Sequence, residues 1–112
     1  VDFMTSLLSL DGMKNRMAAC LAYEENVVKE GVRTESLRAL HYLFASQAEL
    51  DRADFKAMLG LGERLASAQI SALIKRGLVE SDSPHGKLRL GVPQHALRFY
   101  FPRLWPEAEA QA

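Results

Sequence analysis

Three histidines and one cysteine are the side chains best equipped for chemistry in this chain of 112 residues, and their spacing does not bring them together. His41, His85 and His95 stand far apart, with no cysteine or carboxylate at ligand spacing, so no metal site is expected. Cys20 falls on an apolar helix face, where a thiol behaves as a small buried hydrophobe rather than as a nucleophile. No Ser-His-Asp set, paired carboxylates or phosphate-cradling loop can be assembled. Gly60-Leu61-Gly62 has neither the lysine nor the length of a P-loop. Enzymatic activity is therefore not expected of this chain, and no cofactor is implied.

Recognition is the other chemistry open to it. Residues 52–91 carry seven basic against four acidic side chains, a balance of +3, whereas residues 1–30 carry three against five, a balance of −2. The whole chain is neutral, which by itself argues neither for nor against nucleic acid. Arg52, Lys56, Arg64, Ser67, Ser71, Lys75, Lys87 and Arg89 form the candidate DNA-contacting set. Arg64 has the planar fork that bonds guanine O6 and N7 together. Arg52, Lys56, Lys87 and Arg89 suit backbone phosphates, which fix register without reading sequence. On the other side of the balance, Ala68 and Ala72 offer apolar contact alone. Glu63 would face phosphates unfavourably, and surface Lys and Arg commonly serve solubility.

These side chains need a scaffold. Leu37, Leu40, Leu43 and Phe44 form an apolar stripe behind Thr34 as a cap, predicting a helix over 34–46. Asp51 with Asp54 makes a capping-box variant, and Leu50 with Phe55 has the spacing of a hydrophobic staple. Together they predict a helix over 52–59 that Gly60 stops. Gly60-Leu61-Gly62 then turns the chain into a third helix over 63–76. Ala66, Ile70, Leu73 and Ile74 are expected inward, Arg64, Ala68, Ser71 and Lys75 outward, and Ser67 and Gln69 on the flanks. Helix, short glycine turn, helix is the helix-turn-helix pattern. Strands are predicted over 78–82 and 87–91, around the turn residues Ser83-Pro84-His85-Gly86. The fold class is mainly α with a small β-hairpin wing, a winged helix-turn-helix preceded by a linker helix region.

On either side lie less regular segments. Residues 2–28 read as helical, with Met13, Met17, Cys20 and Leu21 on one face, a break at Asp11-Gly12 and Gly31 as the C-cap. That face either folds back on the chain's own aromatic tail or pairs with a second copy. The tail, 93–106, holds Phe99, Tyr100, Phe101 and Trp105, with Pro93, Pro102 and Pro106 blocking a long helix; Glu107 to Ala112 reads as a frayed end. Three segments result: linker helices over 1–33, the winged unit over 34–92, and the aromatic tail over 93–112. A helical pattern beginning at Val1 is what an excised piece of a longer protein would show. No apolar run reaches the roughly 18 residues of a membrane span, no signal peptide opens the chain, and one cysteine suits a reducing cytoplasm.

Leu10-Asp11-Gly12-Met13, Gly60-Leu61-Gly62-Glu63-Arg64, Ala72-Leu73-Ile74-Lys75-Arg76-Gly77-Leu78 and Phe101-Pro102-Arg103-Leu104-Trp105-Pro106-Glu107 together carry a likeness. The chain resembles the C-terminal winged-helix extension of bacterial Fic-family proteins, whose preceding Fic domain transfers AMP to protein hydroxyls. The family's His-Pro-Phe loop and Gly-Asn-Gly-Arg segment do not occur here. Its inhibitory motif also fails, since Leu21 stands four residues before Glu25-Asn26, and Asn26 four before Glu30-Gly31. The resemblance implies a non-catalytic accessory domain with a Fic domain as its neighbour. Two functions are expected: a DNA-binding regulatory module, or a protein-interaction module for dimerisation or substrate docking.

Overall fold

Residues 10–101 are described by the computed structural model. The helical piece expected before Leu10, and Pro102, Trp105, Pro106 and the end expected to fray, lie outside the described residues. The elements are α1 (Leu10–Tyr23), a π-helical turn (Glu24–Val28), a 3₁₀ turn (Thr34–Ser36), α2 (Leu37–Ser46), α3 (Arg52–Leu59), α4 (Glu63–Lys75), β1 (Val79–Glu80), β2 (Arg89–Leu90) and α5 (Gln94–Tyr100). Mainly helical architecture with a small antiparallel hairpin is thus what the chain adopts.

Helix α1 runs through Asp11-Gly12 without the expected break. A lone glycine costs a helix only about 1 kcal/mol relative to alanine. The stripe that follows it, Met13, Met17, Cys20 and Leu21, is completely buried, and burying such side chains returns about 1.5–3 kcal/mol each. The stripe is covered inside the chain: α1 packs on α2 and on α5, which buries Ala96 and Tyr100. A dimer through these residues would have to open that packing.

Beyond α1 the elements follow the expected order, with shifted ends and different caps. Lys29, in the left-handed region at φ 57°, ends the π-helical turn through its N–H to the Glu24 carbonyl; Gly31 at φ 98° follows as part of the connector. Thr34 opens the 3₁₀ turn without capping it; its N–H is bonded instead by the Glu25 carboxylate, 3.2 Å away. Asp51 sits at the N-cap of α3, but its side chain makes no cap hydrogen bond. Gly60, at φ 69°, stops α3 as expected.

In the wing, Val79 pairs with Leu90 and Glu80 with Arg89, giving strands shorter than expected. Leu50, besides preceding α3, exchanges two backbone hydrogen bonds of 2.8 and 2.9 Å with Leu88. The wing is thereby tied to the start of α3. Gly91 is required where the hairpin returns, because a Cβ there would lie 2.3 Å from the Gly77 carbonyl oxygen.

Helix α4 buries Ala66, Ile70 and Leu73 as expected, whereas Ile74 is 37% exposed. Gln69 is not on a flank but in the core, 2% exposed. Its carbonyl oxygen accepts from the Arg33 N–H (2.9 Å) and the Ser36 hydroxyl (2.6 Å), and its amide donates to the Gly31 carbonyl (2.9 Å). One amide thus satisfies three groups of the 31–36 connector. Gln69→Leu would leave the buried Ser36 hydroxyl and the part-buried Arg33 N–H without their acceptor, each worth about 1–3 kcal/mol. Urea unfolding should show a loss of about 3–5 kcal/mol; a loss under about 1 kcal/mol would mean the connector is not held this way.

Candidate nucleic-acid interface

Helix α4 presents Arg64, Ser67, Ala68, Ser71 and Lys75 outward, all exposed. Offsets of four, seven and eleven residues from Arg64 place Ala68, Ser71 and Lys75 on one stripe. Between Glu63 and Lys75 the helix carries no acidic residue. Beside the stripe a trough of about 460 Å³ separates α4 from the wing, lined by Ser71, Lys75, Arg52, Ser81 and Ser83 among others.

The predicted cations have different surroundings. Arg52 donates from Nε to the Gly86 carbonyl (2.8 Å) and from Nη2 to the Ser83 carbonyl (3.1 Å), bracing the wing tip from α3. Lys56 bonds Glu63 at 2.6 Å across the α3–α4 turn. That hydrogen bond, then the ammonium charge, holds the Glu63 carboxyl below the usual carboxylate range, with a smaller contribution from the Ser67 hydroxyl. Glu63 is thereby engaged with Lys56 rather than with its neighbour Arg64. Lys75 reaches Glu30 at 3.2 Å.

Arg89 lies apart from the others. It contacts Asp82 (3.0 Å), Glu80 (3.4 Å) and Glu49 (3.9 Å), and Asp82 above all stabilises its charged form. It lines a separate hollow with Leu43, Phe44 and Glu49 at the end of α2, not the trough beside α4. Arg64 and Lys87, the latter exposed after the wing turn, take part in none of these pairs. The structure thus gathers Arg64, Ser67, Ser71, Lys75 and Arg52 around one face, keeps Lys87 at the wing, and turns Arg89 toward carboxylates.

The histidines stay dispersed: His85 is exposed in the wing turn, His41 half-buried on α2, and His95 sits at the start of α5. Among the described residues no group of three or more His, Cys, Asp and Glu is placed to hold a metal ion. No described helix is long and apolar enough to cross a membrane. Burial pushes the Cys20 thiol up to about 12, a direction opposite to that of a reactive cysteine.

Sequence reasoning missed the internal polar residues that hold α4. Glu24 has no exposed surface and takes two bonds from Arg76, at the C-cap of α4, at 2.7 and 3.0 Å. With Gln69 and Lys75 this makes three points at which α4 is tied to residues 24–36.

Comparison with protein-family models, curated proteins and solved structures finds no match for this chain. For the wing, Arg52→Ala should speed hydrogen exchange of the Gly86 amide, which bonds the Ser83 carbonyl, by about tenfold, the equivalent of one lost hydrogen bond. Unchanged exchange would remove the bracing role.

Proposed function

We propose that this chain is a non-catalytic winged-helix accessory domain of a bacterial, cytoplasmic Fic-like protein, and that it binds duplex DNA with α4 and the wing. The observation that carries this reading is the uncovered outer stripe of α4, with Arg64, Ser67, Ser71 and Lys75 and no carboxylate between its ends, set beside a braced hairpin. Helices of this kind enter the major groove with their early residues at the base edges, and the wing follows the backbone. Arg64 in the first turn reads a base; Lys87 contacts phosphate. Arg52 acts by holding the wing, and Arg89 is already neutralised by carboxylates.

Internal pairing sets the expected salt dependence. Lys87, together with Lys75 released from its exposed pair with Glu30, neutralises about two phosphates, giving a slope of log K against log salt near −2. Raising salt from about 50 to 200 mM should weaken binding about tenfold. In a mobility-shift titration, Lys87→Ala should weaken all duplexes alike and reduce the slope by about one. Arg64→Ala should cost about 1–3 kcal/mol on a preferred site and little on random DNA.

A second reading, protein interaction, is favoured by one feature: Leu65 (49% exposed) and Ile74 (37% exposed) place large apolar side chains on the surface of α4. Here α4 would dock a Fic domain, its substrate or a second copy of the chain. No shift with any duplex at low salt, with Leu65→Ser weakening capture of a Fic partner, would select this reading over DNA.

A further inference from the structure

Arg52 and Lys75 line the trough beside the wing from two different helices, α3 and α4. A guanidinium has five N–H groups. Arg52 uses two of them on the Gly86 and Ser83 carbonyls, which leaves three donors beside the trough. Lys75 meets Glu30 at 3.2 Å in a pair whose side chains are 73% and 47% exposed. Exposed pairs of this kind are weak and yield to a more highly charged anion. Ser71 and Ser83 add hydroxyl donors to the same lining, while the Ser81 hydroxyl is turned to the Ser83 carbonyl, 2.9 Å away. Asp82 is the carboxylate of the lining, and Arg89 neutralises it at 3.0 Å. Two cations thus share a hollow whose own walls supply no uncommitted anion.

The apolar part of the lining points to more than a bare ion. Ile74 belongs by its spacing to the inward stripe of α4, yet it is 37% exposed and lines the trough together with Pro84 of the wing turn. An open apolar side chain beside two cations does nothing for an inorganic anion and suits the body of an organic one. The volume of about 460 Å³ also falls within the range of small-molecule sites, about 300–1,000 Å³.

We propose that this trough binds a small phosphate monoester, with the phosphoryl group between Arg52 and Lys75 and the organic body against Ile74 and Pro84. A monoester carries close to two negative charges at neutral pH, which matches two cations at one seat, whereas each phosphate of a DNA backbone carries one. Guanidinium and ammonium donors make the stronger, charge-assisted hydrogen bonds to such a group. Seated there, the ligand also covers Ser71 and Lys75, the part of the outer stripe of α4 that lies beside the wing. The site does not depend on whether that stripe binds DNA.

Amide NMR of the full chain tests it, with inorganic phosphate and phenyl phosphate titrated separately at an ionic strength held constant with chloride. Both ligands should give saturable shifts centred on Ser71, Lys75 and residues 81–86. Phenyl phosphate should bind about tenfold more tightly, as removing on the order of 55 Å² of apolar surface from water gives. Ile74→Ser should abolish that preference and leave inorganic phosphate binding unchanged. Lys75→Ala, at an exposed position, should weaken both ligands about tenfold or more. Lys87→Ala should leave both unchanged, whereas under the DNA reading it weakens every duplex, so the two ideas fail separately. Shifts that do not saturate, or that spread alike over all surface cations, would mean an adventitious ion only and overturn the site. Equal affinity for the two ligands in the natural chain, a phenyl preference that survives Ile74→Ser, or full affinity in Lys75→Ala would overturn it as well.

Discussion

A carboxylate with no exposed surface has to be neutralised where it is buried, and Glu24 sets that requirement for this chain. Desolvating an ion costs several kcal/mol unless a partner of good geometry meets it. Arg76 is that partner, and its position at the end of α4 is not free to vary while Glu24 stays inside. Because Glu24 follows directly on α1, the pair fixes the third helix of the winged unit relative to a helix that residues 24–33 separate from the unit. The shared core reflects this: Met13, Met17 and Leu21 from α1 lie in one cluster with Leu40 and Leu43 from α2, Leu73 from α4 and Tyr100 from α5.

The same constraint governs the connector between α1 and α2. With the end of α4 held by Glu24, its middle lies against residues 31–36, and several of their polar groups are partly shielded from water. Gln69 answers for three of them, and Glu25 supplies the acceptor for Thr34 that a capping side chain would otherwise provide. Close approach is part of this arrangement: a Cβ at Gly31 would meet Ala72 at 3.3 Å. What α4 has left for function is its opposite side, which explains why its small and cationic residues are found together there.

Periodicity made the winged unit readable. The stripe of α2, the Gly60 stop, the Gly-Leu-Gly turn and the alternation of Lys87-Leu88-Arg89-Leu90 each place an element within a few residues of its observed limits. The buried polar residues were readable too, though less directly. Met13, Met17, Cys20, Leu21 and Glu24 form a single helical face, as do Ala66, Gln69, Ile70, Leu73 and Arg76. A charged or amide side chain that continues an apolar stripe signals an internal partner. Their pairing, over 52 and 33–38 residues of sequence, has no local signature. The candidate interface was legible as to face but not as to which cations are free. Lys56 with Glu63 and Arg89 with Asp82 are pairs that depend on how α3 and the wing are laid against their neighbours.

Coupling across the clasp between α1 and α4 is measured most directly by a double-mutant cycle in the full chain: Glu24→Gln, Arg76→Gln and both together, each unfolded in urea at neutral pH. If the pair holds α4 in place, Arg76→Gln should cost about 3–5 kcal/mol, the penalty for leaving the buried Glu24 carboxylate without its partner, and Glu24→Gln should cost less, because the Arg76 side chain is 24% exposed. The second change should then add little, a coupling of about 2 kcal/mol or more. Additive losses, with a coupling below about 0.5 kcal/mol, would contradict the account and leave α4 positioned by apolar packing alone.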